Sequence, residues 1–135
     1  VTDPYVVVVH KSHRLARRRS VLLGELATER LVDNDYEDTP WHHVLDRACE
    51  AAGFTPRYVV QSQDHHTALA FVAAGVGITV LPRLAALELP RDTRVIRLTR
   101  PQPVREIVVL TRATVAHRPV VRRAVELLLQ RTPHD

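Results

Sequence analysis

Apolar residues occur along this chain in short blocks whose spacing alternates between that of a strand and that of a helix. Residues 5–9, YVVVV, form a nearly continuous apolar run, the mark of a strand buried on both faces of a mainly parallel sheet. Residues 22–26 have room only for a short helix and 30–33 for a short strand, and Asn34, Asp35, Tyr36, Glu37 and Asp38 then make an acidic loop. Thr39 and Pro40 supply an N-cap and a first-turn proline. After them Trp41, Val44, Leu45, Ala48 and Cys49 fall on one face of a helix that ends at Gly53.

The densest pattern is in residues 56–82, PRYVVQSQDHHTALAFVAAGVGITVLP. A strand at 57–60 leads into a polar bend of Gln61, Ser62, Gln63 and Asp64. Asp64 caps a helix with Ala68, Leu69, Phe71 and Val72 on its apolar face, and Gly75 ends that helix in the left-handed conformation. A buried strand at 78–81 follows, stopped by Pro82. Beyond it the pattern predicts a short helix at 82–89, strands at 94–98 and 105–111, and a last helix at 117–131. That helix has Val120, Val121, Ala124, Val125, Leu128 and Leu129 on one side. The element order is that of an α/β fold, a mainly parallel sheet flanked by helices.

Length and composition narrow the picture. With 135 residues, 45% of them hydrophobic, the chain is long enough for one domain with a core and too short for two full-sized ones. No apolar run approaches the ~18 residues of a membrane span, so no membrane partner is expected and the cytoplasm is the default location. Cys49 is the single cysteine, which excludes an internal disulfide. The net charge of +4 suggests nucleic acid, but the basic residues are scattered. Their one dense cluster, Arg14, Arg17, Arg18 and Arg19, has no interleaved aromatics and reads as a solvated turn.

Candidate chemistry is sparse. Neither His42-His43 nor His65-His66 offers the i, i+4 face of a zinc helix, so no metal is expected. His42 and His43 are expected on the exposed face opposite the Trp41 stripe, and Cys49 as a buried structural thiol. No nucleophile elbow, phosphate loop or dinucleotide fingerprint occurs, and neither an enzyme nor a cofactor is implied. Polar groups converge instead at presumed strand ends, where helices begin at Thr39 and Asp64. That field suits a small carboxylate-bearing ligand, although the Asp64 side chain offsets part of it. A polar turn without any ligand is the competing reading for Gln61, Ser62 and Gln63.

Four stretches resemble one family. VVVVHKSHRLA at 6–16, VLLGELATERLV at 21–32, the VAAGVGITVLP run at 72–82 and REIVVLTRATVAHRPVVRRAVELL at 105–128 are similar, in order and spacing, to the effector-binding domain of LysR-type transcriptional regulators. His10 and Arg14 stand where that family usually has prolines. The resemblance implies a periplasmic-binding-protein-like (type II) lobe with part of the other lobe: residues 26–100 the second lobe, 1–25 and 101–135 hinge strands and part of the first. It implies sensing of a small-molecule effector through His10, Asn34, Thr39, Gln61, Ser62, Gln63 and His65, within a homo-oligomer. DNA would be contacted only through a winged helix-turn-helix outside this chain, which reads as the carboxyl-terminal part of a regulator. The alternative is a stand-alone solute-binding or dimerisation module.

Overall fold

The computed structural model describes residues 1–37 and 39–130. Asp38 of the expected loop and Arg131 of the expected last helix lie outside the described residues. The chain divides into two compact units, Asp3–Arg105 and a smaller one of Val1–Thr2 with Glu106–Asp135.

The larger unit is organised by β1 (Thr2–His10). One edge of β1 pairs antiparallel with β5 (Thr79–Pro82), Val6 opposite Leu81. The other pairs antiparallel with β6 (Thr93–Thr99), Val7 opposite Ile96. A short β2 (Ser20–Leu22) lies parallel to β6, and β7 (Val104–Glu106) also pairs with β1. A second, parallel pair is formed by β3 (Leu31–Val32) and β4 (Tyr58–Val60), tied to the region before β5 by a parallel bridge between Leu31 and Ile78. The sheet is therefore mixed, and β1 is antiparallel to both β5 and β6 rather than set among parallel strands. An unbroken apolar run reports burial on both faces, not strand direction.

That double burial is what β1 shows. Tyr5, Val7 and Val9 point into a core with Leu15, Leu23, Leu26, Ile96 and Leu98, covered by α1 (Pro40–Ala51) through Leu45 and Cys49. Val6 and Val8 point the other way, into a core with Val32 and Leu81 covered by α2 (His65–Ala73) through Ala68, Leu69 and Val72. Each helix starts where its cap predicts: Thr39 Oγ1 accepts from the His42 N–H at 3.2 Å, and Asp64 Oδ1 from the Thr67 N–H at 2.9 Å. Gly75 ends α2 with φ +74°. Gly77 lies so close to β3 that a Cβ there would stand 2.5 Å from the Arg30 carbonyl oxygen.

Other elements are shorter than expected. The helices anticipated at 22–26 and 82–89 are single 3-10 turns at Leu23–Leu26 and Arg83–Ala86. In the smaller unit, Ile107 exchanges two backbone hydrogen bonds with Val1, at 2.8 and 2.9 Å. Beyond Ile107 no ladder continues among the described residues, so the strand expected at 105–111 ends early. Its last helix is α3 (Pro119–Gln130), none of whose side chains is buried.

Candidate functional site

Parallel strands β3 and β4 end side by side, and the segments that leave them run into the starts of α1 and α2. Ligands in α/β sheets bind beyond the carboxyl ends of strands, where such segments diverge. A cleft of about 340 Å³ lies here, walled by Asp33, Asn34 and Asp35 after β3 and by Gln63, Asp64, His65 and His66 around the start of α2. Trp41, His42 and Leu45 of α1 complete it with Tyr5, Tyr58, Val80, Pro82 and Arg105.

Asn34 fixes the segment after β3. Its Nδ2 donates to Thr79 Oγ1 at 2.9 Å and to the Val80 carbonyl at 2.8 Å, while the Thr79 hydroxyl donates to the Val32 carbonyl. Beside it, His42 is held between two carboxylates. Its Nδ1 lies 3.4 Å from Asp33 Oδ1 and its Nε2 3.2 Å from Asp46 Oδ2, and Asp46 also accepts from the Tyr58 hydroxyl at 3.3 Å. With its side chain only 9% exposed, His42 is not the surface residue expected from the Trp41 stripe. The buried arc of α1 is rotated toward His42, Leu45 and Cys49, spaced i, i+3 and i+7, because the two aspartates satisfy the imidazole there. Trp41 lies correspondingly at the rim, 45% exposed, and not in the core.

Across the cleft stands Arg105. Its Nε and Nη2 both lie 2.9 Å from Oδ2 of Asp3, which is 1% exposed, and its guanidinium carbon is 6.0 Å from the centroid of the Trp41 ring. Asp3 uses its other oxygen to accept from the Leu84 N–H at 3.0 Å.

The titrating groups follow from this arrangement. Burial raises the Asp33 carboxyl above the ordinary aspartate range, opposed by the Asn34 amide and by His42. Burial pushes the Tyr5 phenol up to about 12 against the pull of Arg105, and burial with Asp46 and Asp33 raises Tyr58 well above the ordinary phenol range. The His65 ring is lowered, first by burial and then by Arg105, which favours the neutral imidazole. Among the described residues no three His, Cys, Asp or Glu side chains are arranged to hold a metal ion.

Residues 1–133 match the family model described as LysR substrate binding domain. The chain belongs to this family. A curated relative, the uncharacterized HTH-type transcriptional regulator YybE of Bacillus subtilis, is 36% identical over 108 residues, covering 78% of this chain and 36% of the relative. This LysR domain therefore spans about a third of that relative's length. Among solved structures it is similar to the C-terminal domain of a probable LysR family transcriptional regulator from Rhodococcus. The TM-score is 0.69 at 27% identity, over 96% of this chain and 64% of that one. It shares its fold with the BenM effector binding domain solved with its effector benzoate, at a TM-score of 0.70 and 19% identity, over 98% and 64% of the two chains. Among the described residues no helix is long and apolar enough to cross a membrane.

Of the side chains expected to bind effector, this LysR domain brings Asn34, Gln63 and His65 together in the cleft. Thr39 is taken up as the α1 cap, and its hydroxyl donates to the Tyr36 carbonyl at 3.1 Å. Ser62 is buried and donates to the Asp64 carbonyl, whereas Gln61 points outward and bonds Glu37. His10 lies in a separate cleft of about 240 Å³ with Ser12, His13 and Glu29, its Nδ1 2.7 Å from the Ser12 hydroxyl. Several cleft residues went unpredicted as contacts, among them Tyr5, Asp35, Trp41, Tyr58 and Arg105. The i, i+4 spacing of His42 and Asp46 was a readable signal for the buried histidine; nothing local links Asp3 to Arg105.

Proposed function

We propose that this chain is the sensing part of a transcription regulator, binding a small-molecule effector in the cleft at the carboxyl ends of β3 and β4. The observation that carries the reading is the Trp41 indole, which is left out of the core and lines a cleft already furnished with Asn34, Gln63, His65 and Arg105. A half-exposed indole beside fixed polar groups is a binding surface, apolar for contact and polar for orientation. Arg105, held in place by Asp3, is the cation for a ligand carboxylate, and benzoate, the effector in the fold neighbour BenM, is itself a carboxylate. Asp64 already occupies the α2 cap, so the helix end contributes less.

Residues 26–100 would form the second lobe, with 1–25 and 101–135 contributing hinge strands and part of the first. Signalling would run to a winged helix-turn-helix beyond these residues, in a cytoplasmic homo-oligomer. An effector shifts such an assembly only through unequal affinity for its two arrangements. The test uses the single tryptophan. Titrating small carboxylates, amines and neutral polar compounds against the purified chain should change Trp41 emission and raise the melting temperature for at least one class. A folded chain that responds to none of them would sink the sensing reading.

A further inference from the structure

We propose that the effector is a zwitterion of amino-acid type, its carboxylate taken by Arg105 and its ammonium by Asp35. The inference rests on the sensing reading of the cleft and names its ligand class. It starts from a mismatch of charge. Among the described residues three aspartates, Asp33, Asp35 and Asp64, line the cleft against one arginine. Most of this charge is already answered within the protein. Asp33 faces His42, Asp64 is spent on the first turn of α2, and Asp3, which is not among the lining residues, pairs with Arg105.

Asp35 is different. It is half-buried, its Oδ1 accepts only from the neighbouring Tyr36 N–H at 2.8 Å, and among the described residues no cation lies within ion-pair distance of it. Asp3 engages Nε and Nη2 of Arg105, which leaves Nη1 for a ligand. Asp35 and Arg105 both line the cleft, together with Tyr5 and His65. A plain carboxylate drawn to Arg105 would also be repelled by Asp35, and a plain amine would meet the reverse. A molecule with ammonium and carboxylate on one carbon satisfies both, while its side chain lies against Trp41 and Tyr5. A cleft of about 340 Å³ holds a molecule of that size.

The experiment compares matched probes on the full chain by Trp41 emission and calorimetry: leucine, isocaproate and isoamylamine; phenylalanine, hydrocinnamate and phenethylamine. In at least one series the amino acid should bind about tenfold or more tighter than the des-amino acid, as expected for one charge-assisted hydrogen bond. Asp35→Asn should close that gap without weakening the des-amino acid, and Asp35→Ala should do the same, each with a melting temperature recorded to verify folding. Equal or tighter binding of the des-amino acid, or a gap that survives both substitutions, overturns the inference and leaves sensing intact. So does a response to other small molecules with none to these probes. Silence toward every compound class overturns the sensing reading itself.

Discussion

Asp3 and Arg105, 102 residues apart in the chain, form a two-pronged ion pair in which Nε and Nη2 both reach one buried carboxylate oxygen at 2.9 Å. The pair ties the start of β1 to β7 and fixes the one arginine among the described residues that line the cleft. Asp3→Asn should lower stability by about 3 kcal/mol, the low end for a broken buried pair because Arg105 keeps 20% exposure. Chemical denaturation measures it. A loss under about 0.5 kcal/mol, the size of an ordinary surface substitution, would mean the pair is not a structural anchor.

The indole and its neighbour on α1 should separate cleanly. Trp41→Ala should cost less than about 1 kcal/mol, since the side chain is half-exposed, whereas Leu45→Ala should cost about 2 to 5 kcal/mol by emptying a core site. Equal losses for the two would return Trp41 to the core.

Gly77→Ala should destabilise by roughly 1 to 3 kcal/mol, because the new methyl meets the Arg30 backbone, which cannot rotate aside. The midpoint of thermal unfolding reads this directly. A neutral result would show that β3 and the segment before β5 can part without cost.

Acid should weaken the fold through His65. Burial and Arg105 lower its pKa in the folded chain below the ordinary 6.5, so the unfolded chain takes up this proton at higher pH. Stability from this group is therefore full above the ordinary value, declines as pH falls through it, and levels off below the lowered folded value. A His65→Gln variant should show a shallower decline in melting temperature across that window. An unchanged slope would assign the acid sensitivity elsewhere.

Cys49 should be inert in the native state. Burial pushes its thiol up to about 12 and leaves no exposed surface. A thiol-reactive disulfide reagent near neutral pH should label it only after denaturant is added; rapid labelling of the folded chain would place the residue at an open surface.

Local chemistry explains why some parts were readable in the sequence. The helix over α2 was legible at both ends because its signals, the Asp64 cap and the Gly75 stop, act within a turn of where they sit. The cleft was legible in outline for the same reason: Asn34, Gln63 and His65 belong to segments that leave strand ends. The over-long reading at 105–111 failed because a strand needs a partner edge, and Val108 to Leu110 carry apolar residues without a ladder. His42 was misplaced because a helical apolar stripe was drawn through Trp41, while burial of the histidine depends on Asp33 from another element. Arg105 was read only as the start of a strand, and its place in the cleft was not legible, since its side chain is held by Asp3, 102 residues earlier.

The pairing of β1 has a consequence for synthesis. Among the described strands β1 is made before the others, yet its two edges are filled by β5 and β6, made some 70 to 90 residues later. Until Thr93–Thr99 emerges, four consecutive valines retain an open hydrogen-bonding edge, the kind of surface that pairs with other chains. The strand at the centre of the larger unit must therefore wait for most of that unit to be made, and the valine run is the segment a chaperone would have to shield.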